Sequence, residues 1–280
     1  MQTLVTADEL EKHLTDSAWR IFDCRFSLVD VSAGRRAYLE SHVPGAFHAD
    51  LDQHLSAPHV PGVTGRHPLP EKDEWIARVQ SWGIAPDVQV ALYDDAGGAF
   101  AARMWWMLRW IGHERVAVLD GGWRAWKASA RPVSASLPDP PPPSRADYSR
   151  RPSLTRLIGA DDIDASAHVL LDAREPARFR GEVEPLDRAA GHIPGAKCSA
   201  SGDNLDERGF FKPKGALLEK FQAAIGAAEG RPVVCYCGSG VTAAHNILAM
   251  THAGFEEPRL YAGSWSEWIT DPAREIAIGE

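Results

Sequence analysis

Short unbroken apolar runs alternate along this chain with longer stretches of mixed polarity. The runs at 19–23, 88–93 and 116–119 predict buried strands in the first half, and those at 169–172, 232–236 and 259–261 do so in the second. Helical spacing predicts helices over 99–111 and 242–252. Thr6 followed by Glu9 has the form of a capping box opening a short helix. Strands that alternate with helices predict α/β architecture, a parallel sheet covered on both faces. Ligands then bind beyond the carboxyl ends of the strands.

The pattern occurs twice. Ile21-Phe22-Asp23-Cys24-Arg25 matches Leu170-Leu171-Asp172-Ala173-Arg174, and Ser41-His42-Val43-Pro44-Gly45-Ala46 matches Gly191-His192-Ile193-Pro194-Gly195-Ala196. Asp120-Gly121-Gly122-Trp123 lies opposite Ala262-Gly263-Ser264-Trp265. Ala91-Leu92-Tyr93-Asp94-Asp95 lies opposite Val233-Val234-Cys235-Tyr236-Cys237, a register that sets Asp95 against Cys237. Four blocks in one order, spaced far more widely than solenoid repeats, indicate a duplicated domain. The boundaries read as 1–134 for the first copy and 153–280 for the second, joined by a spacer over 135–152. Pro138-Asp139-Pro140-Pro141-Pro142-Pro143 at the spacer's centre excludes helix and central strand.

Candidate chemistry concentrates in the second copy. The run ending at Tyr236 leads into Cys237-Gly238-Ser239-Gly240-Val241-Thr242 and then a helix. A cysteine between a strand's carboxyl end and a helix's amino end meets free N–H groups and the positive end of the helix dipole. Both favour an anion, and the thiolate is the nucleophilic form of cysteine. The alternative reading, a buried inert thiol, sits poorly with the two loop glycines. A carboxylate at the matched place cannot do thiolate chemistry, so one copy reads as catalyst and the other as support.

Composition narrows the field. A net charge of -8 without a basic tract argues against nucleic acid as a partner. No apolar run approaches membrane-span length, and the first residues lack a signal-peptide pattern, so a cytoplasmic location is expected. The four cysteines, Cys24, Cys198, Cys235 and Cys237, form neither a CxxC pair nor a metal-ligand spacing, and no metal or cofactor is expected.

With the duplicated unit, the His192-Ile193-Pro194-Gly195-Ala196 block and the cysteine loop, the chain resembles the tandem-domain rhodaneses, the thiosulfate and 3-mercaptopyruvate sulfurtransferases. The resemblance implies two rhodanese-like domains, the first inactive and the second passing sulfur through a cysteine persulfide. It implies that Cys237 is the nucleophile and that Gly238, Gly240, Val241 and Thr242 belong to the loop cradling the outer sulfur. Ser239, His67 and Asp52 resemble a proton relay, and Arg178 resembles a substrate-carboxylate arginine. The family's second arginine follows an acidic-proline pair. Here Glu184-Pro185 is followed by Leu186, and Arg188 is the next arginine.

The expected reaction moves a sulfane sulfur from 3-mercaptopyruvate or thiosulfate to cyanide or to a thiol acceptor such as thioredoxin. Gly238 and Ser239, where thiosulfate enzymes carry basic residues, favour mercaptopyruvate. Two other readings exist. A cysteine phosphatase of this fold needs a longer loop ending in arginine, and 238–244 contains no Arg or Lys. A non-catalytic module would carry sulfur or sense oxidation at the same cysteine. Turnover with a small donor separates that reading from catalysis.

Overall fold

The computed structural model describes residues 2–226 and 230–280. Two compact units emerge. The first contains residues 1–57, 69–154 and 208–210, and the second contains 58–68, 155–207 and 211–280. The segment 58–68 therefore belongs with the second unit, although it lies within the first sequence repeat.

In the first unit the strands are β1 (Leu4–Val5), β2 (Trp19–Asp23), β3 (Phe47–His48), β4 (Gln89–Tyr93) and β5 (Val116–Leu119). They form a parallel sheet in the order β1-β5-β4-β2-β3. The helices are α1 (Ala7–Glu11), α2 (Ala33–Glu40), α3 (Lys72–Ser81), α4 (Ala99–Trp110) and α5 (Gly122–Ala128). Thr6 caps α1 as expected, its Oγ1 accepting the Glu9 N–H at 3.2 Å.

The second unit repeats the plan. Its strands are β6 (Arg156–Leu157), β7 (Val169–Asp172), β8 (Lys197–Cys198), β9 (Val233–Tyr236) and β10 (Arg259–Leu260), parallel in the order β6-β10-β9-β7-β8. The helices are α6 (Pro176–Phe179), α7 (Lys214–Ile225), α8 (Thr242–Ala253) and α9 (Ser264–Trp268). The central strands of both sheets are buried from end to end, or nearly so, because helices cover both faces.

A buried acid–arginine pair recurs in each unit. Asp23 holds Arg25 at 2.5 Å, and Asp172 holds Arg174 at 2.6 Å. Each arginine also donates to a carbonyl just before the His-x-Pro-Gly turn, that of Ser41 at 2.6 Å and of Gly191 at 2.7 Å. The turn histidines are structural in both copies. Nδ1 of His42 bonds the Tyr38 carbonyl at 2.7 Å, and Nδ1 of His192 bonds that of Phe179 at 2.8 Å.

These shared contacts correct the register between copies. Tyr93 pairs with Asp23 across the sheet as Tyr236 pairs with Asp172. The Tyr93 hydroxyl accepts the Val43 N–H at 3.0 Å, and that of Tyr236 accepts the Ile193 N–H at 3.2 Å. Tyr93 is thus the counterpart of Tyr236, and Asp94, not Asp95, is the counterpart of Cys237. The two helices that follow, α4 and α8, begin five residues beyond those positions in both copies, at Ala99 and Thr242.

Candidate active site

The site grows from the end of β9. Cys237 leaves the sheet buried, with 2% of its surface exposed. Its N–H donates to Ser264 Oγ at 3.1 Å, and its carbonyl accepts the Trp265 N–H at 2.9 Å. The Gly238 carbonyl accepts the Ser266 N–H at 2.9 Å. The start of α9 thus fixes the first two residues of the loop. Gly240 then turns the chain with φ +76°, and a Cβ there would run into the Ala262 carbonyl. Thr242 opens α8, whose first turn carries no acidic residue to oppose an anion.

Ser264 lies in the left-handed region, with φ 56°. The first copy has Gly122 at this place, with φ 55°. Serine tolerates the conformation because its hydroxyl ties the Cys237 N–H to the Tyr261 carbonyl, 2.9 Å away. Ser264→Ala keeps the strain and removes the hydroxyl, whereas Ser264→Gly removes both. Denaturant unfolding should therefore find the glycine variant more stable than the alanine variant by about 1–2 kcal/mol. Equal stabilities would show that no strain is held there.

The segment 58–68 adds the other side chains. Gly65 packs so close that a Cβ would stand 2.6 Å from the Gly263 carbonyl, and the next N–H, of Arg66, donates to Ser266 Oγ at 3.0 Å. This seats His67, buried, with Nδ1 2.8 Å from Ser239 Oγ. It also places Arg66, whose Nη2 would lie 2.8 Å from a Cβ on Gly238. Arg178, from α6, approaches the same point with Nη1 at 3.5 Å. A Cβ at 238 would displace Arg66 and stand in ordinary contact with Arg178.

Of the residues expected from sequence, the structure brings Cys237, Gly238, Ser239, His67 and Arg178 together. Arg188 lines a cavity together with Arg66, Asp187 and Ser266, and its Nη2 donates to the Ile269 carbonyl. The second guanidinium at the loop is Arg66, which the sequence reading passed over despite its place beside His67. Asp52 belongs to the first unit, exposed in a turn where its N–H donates to Asp50 Oδ1 at 2.9 Å. Loss of some hydration and the Asp50 charge raise its carboxyl above the ordinary value.

The first copy shows what this loop geometry holds. The Asp94 carboxylate, wholly buried, accepts N–H groups of Ala96, Gly98 and Phe100 at 2.8 Å and of Ala101 at 2.9 Å. Burial pushes its pKa up, while the four N–H bonds pull it back. The loop is an anion cradle filled by its own side chain. Among the described residues no group of three or more His, Cys, Asp and Glu side chains could hold a metal ion, and no helix is long and apolar enough to cross a membrane.

The profile described as Rhodanese-like domain matches residues 6–129 and 153–271. The chain belongs to that family, with the domain present twice. Within it the chain is a tandem-domain sulfurtransferase. Two relatives with provisional names align along nearly all of it. A 3-mercaptopyruvate sulfurtransferase of Pseudomonas aeruginosa is 50% identical over 285 residues, covering 99% of this chain and 98% of its own. Thiosulfate sulfurtransferase SseB of Mycobacterium tuberculosis is 40% identical over 283 residues, covering 99% and 98%. Among solved structures, 3-mercaptopyruvate sulfurtransferase from Leishmania major superposes with a TM-score of 0.84 at 33% identity, over 95% of this chain and 74% of that one.

Proposed function

We propose that the chain transfers sulfur from 3-mercaptopyruvate through a persulfide on Cys237. The observation that carries this reading is the pair of guanidiniums, Arg66 and Arg178, converging on Gly238 beside the thiol. Two planar forks suit a planar carboxylate. In the first half-reaction the Cys237 thiolate attacks the donor sulfur. The Sγ–S bond forms, the carbon–sulfur bond breaks, and its electron pair stays on carbon. The resulting enolate takes up the proton that the donor thiol gave up and leaves as pyruvate. Ser239 and His67, 2.8 Å apart, are the groups proposed to carry that proton. Asp52 is proposed as the relay's acidic member.

In the second half-reaction a thiol such as that of thioredoxin, or cyanide, attacks the outer sulfur and restores the Cys237 thiolate. The N–H groups from Gly238 to Thr242 cradle the persulfide anion. The first copy, 1–134, is the non-catalytic partner, because at the cysteine's place Asp94 fills its own cradle. Residues 135–152 act as the spacer to the catalytic copy, 153–280. Thiosulfate is the second donor to compare, favoured by the name of the Mycobacterium tuberculosis relative.

Intact-mass spectrometry after brief exposure to 3-mercaptopyruvate should show a gain of about 32 Da that cyanide or dithiothreitol removes, as a covalent intermediate requires. Turnover with no adduct under any donor would end the persulfide mechanism. A higher kcat/KM for thiosulfate than for mercaptopyruvate would overturn the donor assignment and leave the mechanism standing.

A further inference from the structure

We propose that Asp187 is a positioning residue whose carboxylate clamps Arg66 and Arg178 so that both guanidiniums stay aimed at the loop. The proposal rests on the reading that these two arginines bind the donor carboxylate. The Asp187 side chain is 4% exposed and lies between the two guanidiniums. Its Oδ1 accepts from Arg66 Nη1, and its Oδ2 accepts from Arg178 Nη2 at 3.3 Å. Glu184, equally buried, accepts from Arg178 Nη2 at 2.7 Å and from Nε at 3.2 Å. The Asp187 N–H donates to Glu184 Oε1 at 3.1 Å, so the two acids are tied together. The carboxylates thus engage Arg66 through Nη1 and Arg178 through Nε and Nη2. At Gly238, a Cβ would stand 2.8 Å from Nη2 of Arg66, the nitrogen these acids do not engage, and 3.5 and 3.6 Å from Nη1 and Nη2 of Arg178. The carboxylates therefore hold the Arg178 fork by the edge that adjoins the loop.

The formal charges of the two arginines and two acids cancel. Within this quartet, attraction of an incoming carboxylate then depends on where the guanidinium N–H edges point. Arginine side chains are long and carry much rotamer entropy, which a fixed acid removes before the donor arrives. The same segment explains how this chain manages with Leu186 after Glu184-Pro185. The second guanidinium comes from 58–68 instead, and Asp187 is the residue that joins it to Arg178.

Asp187→Asn separates this role from simple charge balance. If Asp187 only offsets positive charge, its removal leaves a surplus and KM for 3-mercaptopyruvate falls. If it aligns the arginines, KM rises about tenfold, the equivalent of about 1.4 kcal/mol for one weakened charge-assisted contact, while kcat stays within about twofold. Steady-state kinetics on the full chain reads both constants. An unchanged or lower KM, or a loss confined to kcat, would overturn the clamp.

Breaking a buried ion pair can also destabilise the fold, so Asp187→Glu is the second variant. It keeps the charge and changes the reach, and KM should still rise several-fold; a wild-type KM there would equally overturn the proposal. Arg66→Ala and Arg178→Ala test the underlying reading separately. If those raise KM and the Asp187 variants do not, the clamp fails and the carboxylate site survives.

Discussion

Cys237→Ser is expected to abolish sulfur transfer, by a factor on the order of 10⁴ or more, with the fold retained. The loss is large because serine cannot form the Sγ–S bond on which both half-reactions depend. No other thiol can substitute. Burial drives the Cys24 thiol well above its ordinary pKa, Cys235 up to about 12 and half-buried Cys198 up to about 11. A raised thiol pKa means the neutral, poorly nucleophilic form at pH 7–8. Serine at Cys24, Cys198 or Cys235 should accordingly leave most of the turnover intact. Turnover of 3-mercaptopyruvate and intact mass after donor treatment check all four variants. Wild-type turnover in Cys237→Ser would sink the mechanism.

The duplicated plan was legible because its strongest signals are local. Buried strands such as β7 and β9 are continuous apolar runs, and the Pro-Gly turns repeat residue for residue. Amphipathic helices were harder. α3 and α7 have exposed faces and open on Glu71 and Pro213 without a side-chain cap, so their starts lack the strongest local signal. The first-copy counterpart of Cys237 was misplaced by one residue. The block register set Asp95 there, whereas the tyrosine hydrogen bonds fix Asp94.

Arg66 was missed for a different reason. Its partners, Asp187 and Ser266, are 121 and 200 residues away, and no local pattern carries contacts of that range. His67 was found only through the resemblance, and the same long-range packing places it at Ser239. Arg188 shows the reverse case. It stands close to the expected arginine in sequence and lines a cavity with Arg66 and Asp187, while its Nη2 donates to the Ile269 carbonyl.

Arg66→Ala and Arg178→Ala should each lower kcat/KM for 3-mercaptopyruvate by about 10- to 100-fold, chiefly through KM. A hydrogen bond to a charged group contributes about 1.5–3 kcal/mol, and each arginine offers one such contact to the donor carboxylate. The effect falls on KM because the carboxylate is bound alike before and during sulfur transfer. The two losses should not simply add, since Asp187 joins both side chains. Gly238→Ala supplies an independent check on the geometry. Its Cβ would stand 2.8 Å from Arg66 Nη2 and 3.5 Å from Arg178 Nη1, so it must push Arg66 aside. The alanine variant should therefore resemble Arg66→Ala more than Arg178→Ala, and adding it to Arg66→Ala should cost little more. Steady-state kinetics on the single and double variants reads this directly. Wild-type KM in both arginine variants would remove the carboxylate site from the loop, and a Gly238→Ala effect independent of Arg66 would show that the loop senses the methyl group by another route.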